Sequence, residues 1–161
     1  MNGAIKEEAE NLKKTIQSTL TTYQWIREWK LPWKPGGSSS NEQVDLVGRP
    51  ENDNHYIFIE LEEVSGNDVR NVAKVWRWFE ESGNTKPVLL IHIFSTRYSE
   101  GTLKTRMQEC IFIGEKAEKE TNNNINYRWF VPKYWPSNKN LLDKLIGEIL
   151  SLIAGYAKNK V

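Results

Sequence analysis

The sequence feature that most constrains the fold is a continuous apolar segment in the middle of the chain. Residues 86–95, KPVLLIHIFS, show little alternation of apolar and polar side chains, which is typical of a strand covered on both faces. Residues 65–84, SGNDVRNVAKVWRWFEESGN, begin with helix-capping residue types and reach a glycine near their end, as helices commonly do. The predicted core face of this helix consists of Val69, Val72, Ala73, Trp76 and Phe79. A helix between two strands provides the crossover that parallel pairing requires, so the sequence predicts an α/β fold.

The first third of the chain predicts a helix followed by a hairpin. Residues 4–30 carry apolar side chains at helical spacing and predict an amphipathic helix. The Pro, Gly and Ser content of residues 31–42 predicts a flexible connection. Residues 43–49, QVDLVGR, and 55–63, HYIFIELEE, predict two strands that the turn-forming PENDN joins.

The last third predicts a helix, a strand and a second helix. Residues 102–120 predict the helix, and residues 126–136 predict a strand that Pro132 ends or places at an edge. Residues 138–159 predict the last helix, whose apolar face is wider than one core contact requires and is a candidate subunit interface. The predicted order is therefore α-β-β-α-β-α-β-α, a mixed central sheet flanked by helices.

Composition limits the classes of protein that the chain can represent. With 161 residues, 39% hydrophobic and 27% charged, it predicts one globular domain over residues 1–161. No apolar run reaches the ~18 residues that a membrane span needs, and the first residues lack a signal core, so we expect a cytoplasmic protein without a membrane partner. Cys110 is the single cysteine, which fits a reducing compartment. A net charge of +1 means that nucleic acid would be held by a local basic face.

Acidic residues occupy positions in the predicted hairpin that should be partly buried. If the hairpin closes with Arg49 opposite Tyr56, Asp45 falls opposite Glu60, and strand alternation places Glu62 on the same face as Glu60. Opposed like charges destabilise a sheet unless a positive group lies between them. Mg²⁺ prefers a few carboxylate oxygens, and the Leu61 carbonyl lies between the two glutamates. From spacing alone, an equally good interpretation is that these acids are solvated at a strand end or on an edge strand.

The order of elements favours the first interpretation because it resembles the PD-(D/E)XK nuclease superfamily, whose fold is restriction-endonuclease-like. The resemblance covers residues 4–95 in element order, with VDLVG carrying Asp45 and IELEE carrying Glu60 and Glu62. Val44 replaces the proline of the family, a position that supplies no ligand. Glu62 replaces the lysine of the family, although some restriction endonucleases of this family carry Glu-x-Glu.

The resemblance implies a set of site residues. Asp45 and Glu60, with the Leu61 carbonyl, would bind Mg²⁺, for which Mn²⁺ is expected to substitute. Glu62 could accept a proton from water, or Lys74 could replace the missing lysine from the following helix. The family often has a glutamate on the first helix that reaches the metal through water, and Glu8 matches that position.

We therefore expect a magnesium-dependent endonuclease that hydrolyses phosphodiester bonds, with DNA as the expected substrate, of a restriction or junction-resolving type. Duplex cleavage by so small a domain would need two active sites, which predicts a homodimer. The predicted phosphate contacts are Arg70, Arg77, Lys30, Lys34 and Arg97. Arg70, Lys74 and Arg77 are expected to form one basic stripe on their helix.

Two other interpretations stay open. The chain could be a catalytically inactive nuclease-fold module that binds nucleic acid or a protein partner, or a purely structural α/β domain. The two histidines, His55 and His92, have no serine or cysteine at a recognisable nucleophile elbow, so a catalytic triad is not expected. The glycines lack the spacing of phosphate-binding loops, so no nucleotide cofactor is expected.

Overall fold

A computed structural model describes residues 2–32, 42–63, 68–130 and 139–159. Four long helices, five strands and one short 3₁₀ helix make up this part of the chain. In chain order these are α1 (Asn2–Thr19), β1 (Tyr23–Lys30), β2 (Gln43–Pro50), β3 (Tyr56–Glu62), α2 (Asp68–Glu81), β4 (Val88–Phe94), the 3₁₀ helix (Thr96–Ser99), α3 (Gly101–Glu120), β5 (Ile125–Phe130) and α4 (Lys139–Lys158).

The strands form one mixed sheet in the order β1-β2-β3-β4-β5. The first three strands pair antiparallel, whereas β3 with β4 and β4 with β5 pair parallel. The predicted mixed α/β fold with flanking helices is confirmed, and the predicted elements occur in the predicted order with one strand added. The hairpin register is also confirmed, because Leu46 pairs with Ile59 and Gly48 pairs with Ile57. The observed pairs end at Leu46 with Ile59, one position before the predicted pair of Asp45 with Glu60.

Each face of the sheet is covered by two helices. Ile57 and Ile59 of β3 pack with α1 and α4, and Tyr56 and Phe58 pack with α2 and α3. Every residue of β3 and β4 is buried, as the continuous apolar run of β4 predicts. The acids at positions 60 and 62 thus continue the side of β3 that faces α2.

The predicted first helix is too long, because β1 occupies the last eight residues of the predicted range. Helix α1 ends at Thr19, in a segment where the Thr19 hydroxyl donates to the Thr15 carbonyl at 2.7 Å. Closely spaced Ser and Thr side chains compete for backbone hydrogen bonds and weaken a helix. The next residues are rich in aromatic side chains and pair with β2 from Tyr23 to Lys30. Strand pairing with a distant segment therefore overrides the local helical spacing.

The predicted core face of α2 is only partly correct. Val72 is buried as predicted, together with Val75 and Trp78, which were not predicted. The predicted core residues Trp76 and Phe79 are only half-buried. Lys74 is also buried, so it does not form a basic stripe with the exposed Arg77. The helix packs on the sheet beside α3, and its buried face differs from the predicted one.

Helix α4 directs most of its described apolar side chains into its own domain. Leu145, Ile146, Ile149 and Ile153 are buried against α1 and the sheet, which accounts for much of the predicted wide apolar face. A homodimer thus stays a prediction. Of the predicted flexible connection, residues 33–41 lie outside the described residues, as do residues 131–138 beyond β5. Within the described ranges, no helix has the length and apolar character that a membrane crossing requires.

Candidate functional site

The two predicted metal-binding carboxylates meet where β2 and β3 lie side by side. The Leu61 amide donates a hydrogen bond to Asp45 Oδ2 at 2.8 Å, which fixes this side chain against β3. Glu60 is 2% exposed, whereas Asp45 is half-buried. Both contribute to a surface pocket of about 360 Å³. Its lining residues are Glu42, Gln43, Asp45, Glu60, Leu61, Arg70, Asn71 and Lys74.

Lys74 reaches this pocket from the second turn of α2. Its Nζ lies 2.8 Å from Glu60 Oε1 and 2.8 Å from Asn71 Oδ1, and it also donates to the Gln43 carbonyl. The structure thus brings a lysine from the helix to the two acids, as the second of the two sequence hypotheses expects. The contact of Lys74 with Glu60 is an ion pair whose angles do not fit a hydrogen bond. No described group donates a hydrogen bond to Glu60 Oε1.

Glu62 lies deeper than its strand neighbour and is held by other side chains. Its Oε1 accepts hydrogen bonds from His92 Nε2 at 2.7 Å and Asn71 Nδ2 at 2.8 Å. His92 is fully buried, and its Nδ1 lies 3.0 Å from the Tyr127 hydroxyl. Among the described residues, those that line the pocket do not include Glu62. A continuous polar network therefore runs from Tyr127 through His92, Glu62 and Asn71 to Lys74.

The three acids experience different electrostatic environments. Burial raises the pKa of Asp45, although the Leu61 amide hydrogen bond partly offsets this. Burial raises the pKa of Glu60 well above its ordinary range, and the ammonium of Lys74 only partly opposes this effect. Burial also raises the pKa of Glu62, but hydrogen bonds from His92 and Asn71 outweigh it, so the pKa of Glu62 lies below its ordinary range. The charged form is thus favoured for Glu62, whereas burial disfavours the charged forms of Asp45 and Glu60.

The residues at the pocket fit a hard divalent cation on one structural observation. Glu60 Oε1 is buried without a hydrogen bond. Although the Lys74 ammonium lies 2.8 Å away, burial still raises the pKa of this carboxyl, so a further cation nearby would stabilise its charged form. Mg²⁺ typically takes one or two carboxylates and keeps several waters, which matches Asp45 and Glu60. Within the described ranges, no cluster of three or more His, Cys, Asp or Glu side chains is arranged to hold a metal. The fit is therefore to a site of two carboxylates and water.

The predicted nucleic-acid contacts are distributed unevenly around the pocket. Arg70 lines it and forms an ion pair with Glu42 at 3.2 Å. Lys30 is exposed on β1 and pairs in the sheet with Gln43, another lining residue. Arg77 instead pairs with Glu81 at 3.1 Å and lines a different surface depression.

The other predicted site residues are separate from the pocket or outside the described part of the chain. Arg97 is exposed on the 3₁₀ helix that follows β4 and is not among the described lining residues. Lys34 and the side chain of Glu8 lie outside the described residues, so the water-mediated role of Glu8 stays a prediction.

Three polar residues of the site were not recognised from the sequence. Asn71 precedes Lys74 by three positions on α2, a spacing that places both side chains on one face and was available as a signal. His92 pairs with Glu60 across the parallel strands, which only the register of β3 with β4 reveals. Lys13 of α1 is buried, and its charge partly opposes the rise that burial causes in the pKa of Asp45. Lys13 lies four residues after Ala9 on the predicted apolar face of α1, a signal that was also available in the sequence.

Comparison with known proteins does not define a family for the chain. No protein-family model and no curated protein matches the sequence. Among solved structures, the chain is similar to SfsA of Pyrococcus furiosus in complex with Ca²⁺, with 14% sequence identity and a TM-score of 0.44. The match covers 77% of this chain but 56% of the SfsA chain, so this chain spans little more than half the length of that protein. A similarity of this size defines neither a family nor an activity.

Proposed function

We propose that the protein is a metal-dependent nuclease that hydrolyses phosphodiester bonds in DNA, as a member of the PD-(D/E)XK superfamily. The observation that carries the proposal is the convergence of Asp45, Glu60 and Lys74 in one surface pocket. Two carboxylates and a lysine are the residue types that this chemistry uses, and here β2, β3 and α2 each contribute one of them.

Asp45 and Glu60, with the Leu61 carbonyl, would hold Mg²⁺ or Mn²⁺. When bound, such an ion lowers the pKa of water and offsets negative charge on a phosphoryl group. The raised pKa values of both carboxyls indicate that a positive charge at this position would be favourable. Asp45 is already oriented for this role by the Leu61 amide.

Lys74 would supply the fixed positive charge of the pocket. Its ammonium lies beside Glu60, where it offsets charge that develops on a phosphoryl group during attack by water. We assign the task of the family's lysine to Lys74 and give Glu62 no role as proton acceptor from water. Both described hydrogen bonds to the Glu62 carboxylate come from buried or half-buried protein donors, and Glu62 is not among the described residues that line the pocket.

Arg70 and Lys30 would contact the phosphate backbone on two sides of the pocket. Arg70 lies on α2 and Lys30 on β1, and both are exposed. Phosphate contacts of this type supply affinity without sequence selectivity. Because a duplex has two strands to cut, we also propose that the active form is a homodimer, which sedimentation in the presence of duplex DNA would test.

The proposal is tested by incubating supercoiled plasmid and a branched-junction oligonucleotide with the wild type, Asp45→Asn and the exposed-site control Asp143→Asn. Each protein is assayed with Mg²⁺, Mn²⁺ or EDTA. We expect metal-dependent cleavage by the wild type and the control, and loss of cleavage in Asp45→Asn. Stability against urea gives a readout without substrate, since a metal present at 100 times its Kd stabilises the native state by about 2.7 kcal/mol. Absence of both cleavage and metal stabilisation in the wild type would refute the proposal.

A second candidate function is a non-catalytic module that binds nucleic acid. The observation that favours it is Lys74 itself, which neutralises Glu60 without a metal. This candidate predicts DNA binding that is unchanged by EDTA, no cleavage with either metal, and the same affinity in Asp45→Asn as in the wild type.

A further inference from the structure

Asn71 lies between Lys74 and Glu62 and uses both ends of its amide. Its Oδ1 accepts a hydrogen bond from Lys74 Nζ at 2.8 Å, and its Nδ2 donates to Glu62 Oε1 at 2.8 Å. A carboxylate can only accept, so the amide orientation with Nδ2 toward Glu62 is the favourable one. The opposite orientation would place Oδ1 against Glu62 and the amide NH₂ against the ammonium of Lys74. Glu62 therefore determines which way Asn71 faces.

Glu62 is in turn held in place by a hydrogen bond from the buried His92. The His92 Nε2–Glu62 Oε1 distance is 2.7 Å, and the ring is held at its other nitrogen by the Tyr127 hydroxyl. The His92 and Tyr127 side chains are buried on the parallel strands β4 and β5. The orientation of Asn71 is thus linked to the sheet.

We propose that Asn71 and Glu62 are positioning residues that hold the Lys74 ammonium in the pocket, with His92 as their buried support. This inference rests on the proposed nuclease function, in which Lys74 acts on the reacting phosphoryl group. A lysine side chain has a flexible four-carbon stem, so its ammonium takes one position only when several acceptors converge on it. The Gln43 carbonyl and Asn71 Oδ1 accept hydrogen bonds from the ammonium, and the Glu60 carboxylate forms an ion pair with it.

The inference explains why the chain carries a glutamate at the position where the family has a lysine. With Lys74 on the helix, a lysine at position 62 would oppose a second ammonium near the same pocket. A buried anion there instead fixes Asn71, which reaches the lysine. Groups that orient a reacting residue in this way commonly affect activity by about 10- to 100-fold.

A double-mutant cycle on cleavage tests whether Asn71 acts through Lys74. The variants are Asn71→Ala, Lys74→Met and their combination, assayed with Mg²⁺ on the plasmid and the junction. We expect Asn71→Ala to lower kcat by about 10- to 100-fold with KM unchanged. In the Lys74→Met background, Asn71→Ala should have no further effect, because the group that it positions is absent. The matched control is Asn126→Ala, on β5 opposite Leu89 at the other end of the sheet, which should leave kcat unchanged.

The same cycle on stability is independent of activity. Urea unfolding in EDTA gives the coupling between Asn71→Ala and Lys74→Met, which we expect to be non-zero, whereas Asn126→Ala with Lys74→Met should be additive. Equal slowing of cleavage by Asn71→Ala in both backgrounds, or additive stabilities, would overturn the inference. If the wild type cleaves neither substrate with either metal, the proposed function and the catalytic part of the inference are refuted, and the stability cycle still decides whether Asn71 holds Lys74.

Discussion

Replacing Lys74 with methionine should destabilise the protein in a pH-dependent way. The substitution keeps most of the side-chain volume but leaves Glu60, which is 2% exposed, beside Asp45 without its counter-ion. Removing one partner of a buried ion pair typically costs about 3–5 kcal/mol. At acid pH Glu60 takes up a proton, and the cost falls toward the about 1–3 kcal/mol of a buried polar group without a partner.

The sign of this pH dependence follows from proton binding. The pKa of Glu60 is higher in the folded protein than in the unfolded chain, so the folded state binds more protons between the two values. The contribution of Glu60 to the free energy of unfolding therefore falls as pH rises above the ordinary glutamate pKa of about 4.3. In the Lys74→Met variant the pKa of Glu60 rises further, because the opposing ammonium is absent. The destabilisation relative to the wild type should thus be larger at pH 8 than at pH 5.

Urea unfolding in EDTA at both pH values, followed by tryptophan fluorescence, measures this difference. The exposed Lys116→Met is the control and should cost less than about 0.5 kcal/mol at either pH. Adding Glu60→Gln to Lys74→Met removes the uncompensated charge and should restore much of the lost stability. The reasoning is wrong if Lys74→Met costs the same at pH 5 and pH 8, or if Glu60→Gln does not restore stability.

Three further predictions test the packing, the buried network and the phosphate contacts. Gly114→Ala should destabilise the protein by about 1–3 kcal/mol, because the added Cβ would lie 2.3 Å from the buried Tyr127 ring. Gly147→Ala in α4 has open space around the added Cβ and should stabilise the protein by about 0.5–1 kcal/mol. Thermal unfolding of both variants tests these two predictions. His92→Phe should lower the free energy of unfolding by about 1–3 kcal/mol at pH 7 and by less at pH 4. The reason is that the lowered pKa of Glu62 contributes stability to the wild type that is lost as pH falls. Equal losses in urea unfolding at both pH values would contradict this. Arg70→Ala should reduce the slope of log affinity for DNA against log salt by about 1, and an unchanged slope would exclude a phosphate contact.

Local sequence patterns were sufficient to predict the hairpin and the proximity of its two carboxylates. Strand alternation and a short turn determine which residues of β2 and β3 lie opposite each other, so the proximity of Asp45 to Glu60 follows from the register alone. The buried strand β4 was predicted for a similar reason, since its apolar run is continuous. These features depend on residues that are close in the sequence.

Only the tertiary structure decided the parts that depend on distant segments. β1 forms because Tyr23–Lys30 can pair with β2, although the local spacing of residues 4–30 favours a helix. The direction of Lys74 depends on how α2 rotates against the sheet and α3, so helical spacing alone grouped it wrongly with Arg77. The link from His92 to Glu62 requires the parallel register of β3 with β4. Strand alternation in the sequence specifies which residues of a hairpin share a face, whereas the buried face of α2 and the polar groups that meet inside the fold are set by the packing of whole elements.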